Sequence, residues 1–415
     1  MSPAKKSLPL FEGLGVELEY MIVDRETLSV LPVADELLRC VAGEYMDEVE
    51  QGPLCWSNEM ALHVVELKTN GPVSALAGLA GAFSGHVARV NALLLPLGGM
   101  LMPSGMHPLM DPAREAQFWP HRNHAIYESY HRIFDCRRHG WANLQSIHLN
   151  LSFRGDDEFA RLHAAVRFLI PILPAIAASS PVVEGKVTGL LDSRLEAYRA
   201  NQQRVPSITG RVIPEAVYSR RLYRDKILKV LYRDIAPHDP EKILQHEWLN
   251  SRGAIPRFDR NTIELRMLDV QECPQADIAV ISAVVETLKG LVSGRFSPMA
   301  ELMAWETGPL EEIFLAVLRE GESAVIRDDR YLSAFGLPRK SMTAGQLWAH
   351  LAGTLLTGST DDDRAALLAL NVIFSRGTLA RRIVRRLGKT PSRDRIERVY
   401  RELCDCLSQG RLFYS

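Results

Sequence analysis

Alternating apolar and polar residues predict four β-strands in the first two-thirds of the chain. Along residues 12–24, Glu17 and Glu19 fall on one side and apolar residues on the other, because successive side chains of a strand point to opposite faces of a sheet. The other three segments, of which the first alternates less cleanly, are residues 60–68, 146–153 and 261–270. The pattern indicates a sheet with one apolar face and one face rich in charged groups.

Apolar residues at three- and four-residue steps predict helices between these strands and throughout the last third of the chain. The helices expected before Pro274 are residues 73–95, 124–138 and 157–178, the last bent by its prolines. After Pro274, helices are expected at residues 277–292, 310–325, 343–356, 361–373, 379–387 and 392–407. The chain is therefore expected to form an α+β unit over residues 1–275, with a helical region over residues 276–415 packed on it.

Composition excludes several classes of protein. The 49 Lys and Arg residues balance 50 Asp and Glu residues for a net charge of −1, so the overall charge does not favour nucleic acid or a membrane surface. Prolines and glycines interrupt the apolar stretch at residues 90–110, and residues 166–178 are too few to span a bilayer. Residues 1–10 lack the apolar core of a secretory signal, and the six cysteines form no metal-binding or disulfide pattern. We therefore expect a cytoplasmic protein.

Carboxylates dominate the polar faces of the predicted strands. The charged residues of these faces include Glu17, Glu19, Glu66, His148, Glu264 and Arg266. Grouped carboxylates repel one another, and this raises their pKa values unless a cation lies among them. Oxygen-rich sites suit Mg²⁺ or Mn²⁺, and Mg²⁺ commonly binds phosphate oxygens as well. Each strand taken alone favours a separate, solvated face, but four such strands together predict a shared metal–phosphate site.

Five motifs follow one another along the chain. They are GVELEYMIVD at residues 15–24, PSGMHP at 103–108, SIHLNLSF at 146–153, ASSPVVEGKVTGLLDSRLEAYR at 178–199 and IPRFDRNTIELRMLD at 255–269. In this combination the chain resembles the glutamate–cysteine ligases, and more closely the bacterial type 2 group of carboxylate–amine ligases. The resemblance implies a glutamine-synthetase-like fold over residues 1–275, with a curved antiparallel sheet, an active site on its concave face and helices on its convex face.

The resemblance also implies how ATP and Mg²⁺ or Mn²⁺ are held. The metal ligands that it implies are Glu17, Glu19, Glu59, Glu66, His148 and Glu264. It places Arg266 near the transferred phosphate, as a catalytic residue together with Glu264. Nucleotide binding is expected from Arg266 and Lys186.

For the substrates, the resemblance implies that Arg194 and Tyr198 bind the carboxylate compound. His107 is expected either to line the substrate pocket or to have a structural role. The implied reaction activates a carboxylate, expected to be the γ-carboxylate of glutamate, as an acyl phosphate and joins it to an amine such as cysteine. Small molecules are thus the expected partners, and assembly into a homo-oligomer stays open. The alternatives are a ligase with an unrelated amine, a non-catalytic metal–nucleotide binder, and phosphoryl transfer without ligation.

Residues 194–233 form a strongly basic segment, with ten basic residues against three acidic ones. One interpretation is a mobile segment that closes over ATP and the acyl phosphate and excludes water. A solvated surface or a subunit contact is an equally good interpretation.

Overall fold

An antiparallel sheet forms the centre of the molecule. The computed structural model describes residues 7–414, so the first six of residues 1–10, the segment expected to lack a secretory signal, lie outside the described residues. The strands are β1 (Leu14–Asp24), β2 (Glu48–Gln51), β3 (Leu54–Asn58), β4 (Val64–Thr69), β5 (Gly99–Met102), β6 (Ser146–Ser152), β7 (Val182–Val183), β8 (Lys186–Val187), β9 (Ala254–Arg257), β10 (Thr262–Asp269), β11 (Val325–Ile326) and β12 (Met342–Thr343). Eight of them form one sheet in the order β2-β3-β4-β1-β6-β10-β9, with β5 added to β1.

Helices surround this sheet and fill the last third of the chain. They are α1 (Ala34–Ala42), α2 (Leu79–Leu94), α3 (Pro112–Glu115), α4 (His124–Phe134), α5 (His139–Ala142), α6 (Gly155–Leu169), α7 (Pro174–Ala177), α8 (Ser193–Arg199), α9 (Arg220–Tyr223), α10 (Lys229–Ile235), α11 (Pro274–Val292), α12 (Met299–Met303), α13 (Thr307–Glu320), α14 (Asp329–Ser333), α15 (Ala344–Leu355), α16 (Asp361–Arg376), α17 (Leu379–Leu387) and α18 (Arg393–Gln409). The predicted α+β class with an antiparallel sheet is confirmed.

The two faces of β1 have different surroundings. Val16, Leu18 and Tyr20 are fully buried and belong to one continuous apolar core, which also contains residues of α2, α6 and α11. Helix α11 contacts α2, α6, α15 and α16. The Tyr20 hydroxyl donates to Asp277 of α11 at 3.1 Å. The alternation read from β1 therefore separates the core from the polar face.

The C-terminal helices close one end of the polar face. Met21 and Val23 lie on the same side of β1 as Glu17 and Glu19, and they are buried in a second apolar cluster with residues of α17 and α18. A buried ion pair joins Arg382 of α17 to Glu272 at 2.6 Å. The last third of the chain is thus packed against the sheet. Within residues 7–414, no helix is long and apolar enough to cross a bilayer.

Several short elements were not predicted. Strand β3 carries buried residues at four successive positions, so it has no alternation to detect. Strand β9 contains Pro256, a residue that normally argues against a strand. Helix α2 begins at Leu79 rather than at residue 73, because the Leu14 amide donates to the Val73 carbonyl at 2.8 Å and holds that backbone against the sheet.

Candidate active site

The polar face of the sheet is the floor of a cavity of about 570 Å³. Strand pairing places Glu17 opposite Lys68 of β4 and His148 of β6, and it places Glu19 opposite Glu66. Strand β10 continues the floor beside β6. The walls come from α4, α5, α8 and residues 248–251. Strands that are distant in sequence therefore present their charged faces to one space.

Two groups of potential metal ligands meet on this floor. The first consists of Glu17, Glu66 and His148, and the second of Glu19, Glu59 and Glu66. Within each group the ligand atoms lie within 4.8 Å of one another. Glu66 belongs to both groups, so the two potential sites are adjacent.

Hydrogen bonds orient the ligands of the floor. His148 Nδ1 lies 3.0 Å from one oxygen of Glu17, and the Asn150 amide donates to the other at 3.0 Å. The Ser146 backbone amide donates to Glu19 at 2.7 Å, and the Ser146 hydroxyl donates to the same oxygen at 2.8 Å. The carboxylates are therefore held in place by the sheet itself.

Glu66 is held from two sides. The Ser57 hydroxyl donates to it at 2.6 Å, and the ammonium of Lys68 lies 3.1 Å away. Lys68 also contacts Glu48 at 2.7 Å, on the more exposed side of the strand pair. Lys68 was not predicted as a site residue, although its position two residues after Glu66 places it on the same strand face.

The electrostatics of the floor favour a bound cation. Burial raises the pKa values of Glu17, Glu19, Glu59 and Glu66, and the neighbouring carboxylates raise them further. For Glu17 the main neighbouring charge is Glu264, and for Glu59 it is Glu19. Carboxylate oxygens with one imidazole suit Mg²⁺ or Mn²⁺. The donor set therefore fits a divalent cation, which would offset the repulsion.

Glu264 has a different environment from the other carboxylates. It accepts from Arg266 at 2.5 Å and from Arg257 at 3.4 Å. Burial raises its pKa, but the charges of Arg266, His148 and Arg257 outweigh burial and hold the pKa at about 2. Among the described residues, Glu264 is not in either group of potential ligands. The structure thus places it as the ion-pair partner of two arginines rather than with the predicted ligands.

Arg194 and Tyr198 also line the cavity, one turn apart on α8. The Arg194 Nε donates to the carboxylate of Asp269, and its Nη2 donates to the Arg266 carbonyl at 3.2 Å. Asp269 accepts in addition from Ser180 at 2.7 Å. A Cβ at Gly105 would lie 2.5 Å from Asp269, so the glycine of the PSGMHP motif leaves room for the carboxylate that holds Arg194.

Two predicted site residues do not reach the cavity. His107 is buried elsewhere, where its Nδ1 accepts from the Met110 amide at 2.9 Å and its Nε2 lies 2.7 Å from the Leu28 carbonyl. Burial lowers its pKa to about 4. Lys186 is exposed on the β7–β8 hairpin and does not line the cavity. The substrate role of His107 and the nucleotide role of Lys186 therefore have no support from their positions.

The basic segment of residues 194–233 is not arranged as a cover. Of its ten basic residues, Arg194 is the one that lines the cavity as the structure describes it. Others pair at the surface, such as Arg220 with Asp156 at 2.5 Å and Lys229 with Asp225 at 2.6 Å. Apolar residues of the segment, including Ile208, are part of the main core. The interpretation as a solvated surface fits this packing better.

Other cavity residues were not predicted. Two cations, Arg257 and Arg260, line the cavity at the β9–β10 turn, and both fall within the IPRFDRNTIELRMLD motif. The walls also carry aromatic residues from α4, α5 and the segment before β9: Tyr127, Tyr130, Trp141 and Trp248. No sequence signal identifies these rings, because they come from separate segments and none lies in a predicted strand.

Comparisons with known proteins identify relatives of this chain. Residues 13–402 match the sequence model of glutamate–cysteine ligase family 2. The chain is 36% identical over 276 residues to an uncharacterised protein of Archaeoglobus fulgidus, covering 66% of this chain and 74% of that protein. It is 28% identical over 189 residues to a Rubrobacter xylanophilus protein named "Putative glutamate–cysteine ligase 2-3". The latter match covers 45% of this chain and about half of that protein, 48%.

Two solved structures have a similar fold. The glutamate–cysteine ligase of Francisella tularensis, determined in complex with AMP, has a TM-score of 0.61 at 13% identity, covering 98% of this chain and 90% of that chain. A bifunctional glutathione synthetase from Pasteurella multocida has a TM-score of 0.56 at 14% identity, covering 96% of this chain and 52% of that chain. Identities this low support the fold alone. The family match over residues 13–402 carries the assignment: the chain belongs to glutamate–cysteine ligase family 2, which assigns it to the ATP-dependent carbon–nitrogen ligases.

Proposed function

We propose that this protein uses ATP and a divalent cation to phosphorylate the γ-carboxylate of glutamate, and that it then joins the acyl group to an amine. The observation that carries the proposal is the pair of adjacent ligand groups that share Glu66, in the same cavity as Arg266. An amine does not displace hydroxide from a carboxylate at neutral pH, so the carboxylate needs activation first.

In the first step, a carboxylate oxygen attacks the γ-phosphorus of ATP, and the bond from this phosphorus to the bridging oxygen breaks, releasing ADP. Bound Mg²⁺ or Mn²⁺ would neutralise charge on the phosphate oxygens. Glu17, Glu19, Glu59, Glu66 and His148 would hold these ions. Phosphoryl transfer needs mainly positioning and charge neutralisation from the protein.

Arg266 is the residue best placed to contact the transferring phosphoryl group. Its guanidinium is fixed by Glu264 at 2.5 Å, and the carboxylate raises its pKa despite burial. The arginine therefore stays charged throughout the pH range of catalysis. A forked guanidinium can donate two parallel hydrogen bonds to phosphate, which lysine cannot reproduce.

In the second step, the amine nitrogen attacks the acyl carbon, the carbon–oxygen bond to phosphate breaks, and inorganic phosphate and one proton leave. Glutamate as the acid is supported by Arg194, because a dicarboxylate brings a second carboxylate that needs a partner. The Nη1 of Arg194 has no hydrogen-bond partner within residues 7–414, while its Nε and Nη2 are occupied.

The test compares Glu66→Gln with Glu48→Gln, because both side chains contact Lys68 but Glu48 lies outside the cavity. With glutamate, Mg·ATP and hydroxylamine, the unmodified protein should form an acyl hydroxamate, since hydroxylamine captures acyl phosphates. We expect Glu66→Gln to lower the rate about 100-fold or more, and Glu48→Gln to stay close to the unmodified protein.

A second measurement does not depend on turnover. Saturating Mn²⁺ at about 100 times its dissociation constant should stabilise the unmodified protein and Glu48→Gln by roughly 2.7 kcal/mol in thermal unfolding. Glu66→Gln should lose most of this stabilisation. Equal hydroxamate formation and equal Mn²⁺ stabilisation in the two variants would contradict the proposal.

A further inference from the structure

The two ends of the cavity differ in chemistry. At one end, Arg257 pairs with Thr262 across the β9–β10 turn, and Arg260 follows in the turn itself. The middle of the floor carries Glu17 and His148. Beyond Ser146, at the other end of the strands, the lining changes to rings and apolar side chains. The cavity therefore runs from a cationic end, across the ligand groups, to an aromatic end.

We call the rings at this second end the aromatic wall, which consists of Tyr127, Tyr130, Trp141, Tyr198 and Trp248. Tyr130 lies at its centre, with ring centroids 5.1 Å from Trp141 and 6.0 Å from Trp248. Met60, Ile126 and Leu144 line the same cavity. Such a surface binds an apolar or aromatic group well.

The direction of phosphoryl transfer assigns the two ends. The attacking oxygen and the leaving ADP lie on opposite sides of the transferring phosphoryl group. The remaining phosphates of ADP are anionic, and the cationic end with Arg257 and Arg260 suits them. The acid and the amine must then approach from the opposite side, where the aromatic wall lies.

The charges at the aromatic end of the cavity restrict which charged groups the amine substrate can carry. Two cations, Arg194 and Arg266, line the cavity beside the aromatic end. Arg266 is paired with Glu264 and is assigned to the phosphoryl group, and Asp269 already occupies the Nε of Arg194. The acid substrate brings a second carboxylate to Arg194, so an amine with its own carboxylate would lack a cationic partner.

We propose that the amine substrate is an arylalkylamine without a carboxylate, whose ring packs against the aromatic wall. This inference rests on the proposed function, because it requires that the cavity forms and consumes an acyl phosphate. In this arrangement the amine nitrogen points towards the acyl carbon above the ligand groups, and the ring displaces water from the wall. Cysteine, which is small and carries a carboxylate, is expected to be a poor substrate.

The experiment measures kcat/KM for phenethylamine, ethylamine and cysteine, with glutamate and Mg·ATP held constant and amide product detected directly. We expect phenethylamine to exceed both other amines on the order of 100-fold, because burial of a ring adds apolar contacts that ethylamine cannot make. Trp248→Ala should lower kcat/KM about 10-fold more for phenethylamine than for ethylamine, with the KM for ATP unchanged. Trp248→Leu repeats the test with less loss of volume. Tyr414→Ala removes an exposed ring outside the cavity and should change none of these values.

The possible results distinguish a failure of this inference from a failure of the proposed function. Hydroxamate formation with hydroxylamine, but no preference for phenethylamine over ethylamine or a preference for cysteine, would overturn this inference and leave the proposed function standing. A higher KM for ATP in the Trp248 variants would instead assign the wall to adenine and would also overturn it. Failure to form hydroxamate from glutamate would overturn the proposed function and this inference with it.

Discussion

The buried histidine His163 on α6 should make the protein lose stability in mild acid. Its side chain is fully buried, and neither ring nitrogen has a hydrogen-bond partner within residues 7–414. The rings of Phe159 and Tyr223 lie around it, at centroid distances of 5.3 and 5.7 Å. Burial lowers its pKa to about 3, and the charges of Arg167 and Arg252 act in the same direction. The folded protein therefore holds this imidazole neutral.

The size of the effect follows from the difference in pKa between the folded and unfolded chains. A histidine in the unfolded chain has a pKa of about 6.5. Below this pH the unfolded chain therefore binds a proton that His163 in the folded protein does not bind. The stability contributed by neutral His163 is therefore complete above pH 6.5 and is lost as the pH falls towards 3. At pH 5 the loss amounts to about 2 kcal/mol, at about 1.36 kcal/mol for each pH unit below 6.5.

The assay is urea unfolding of the unmodified protein and of His163→Phe at pH 7 and pH 5. A change in packing alters the free energy of unfolding equally at both pH values. The quantity of interest is therefore the difference in this free energy between pH 7 and pH 5. We expect the loss of unfolding free energy on acidification to be smaller in His163→Phe by about 2 kcal/mol. His350→Gln is the control, because His350 is exposed, and it should leave the loss unchanged. An equal loss in His163→Phe and the unmodified protein would refute the reasoning.

Two further predictions concern buried ion pairs. Glu272→Gln should lower the free energy of unfolding by about 3–5 kcal/mol, because it leaves Arg382 buried without its charge partner. As a control, Glu402→Gln in an exposed pair should lower it by less than ~1 kcal/mol, and similar losses for the two variants in urea unfolding would contradict this prediction. Asp269→Asn should raise the KM for the acid substrate at least about 10-fold, because Arg194 loses the carboxylate that orients it. A change in the KM for ATP with that for the acid unaltered would show that Asp269 has no such role.

Local patterns in the chain were sufficient for several of the longer elements and for the faces of their strands. The alternation in β1 separated Glu17 and Glu19 from the apolar core because a strand places successive side chains on opposite faces. The helix predicted at residues 379–387 has the observed bounds, Leu379–Leu387, because its apolar stripe repeats with the helical period. Both periods act over a few residues, so a single segment contains the whole signal.

The pairing of distant segments decided the composition of the site. Glu66 lies in both ligand groups because β4 pairs with β1 in one register, while Glu264 meets two arginines instead. His107, in the PSGMHP motif, lies at a buried position outside the cavity. The aromatic wall comes from four segments spread over more than 100 residues of the chain, from Tyr127 to Trp248. No local period encodes such contacts, because register and packing depend on the burial of the whole core, and a ring or carboxylate acquires its neighbours only when the remote strands and helices close around it.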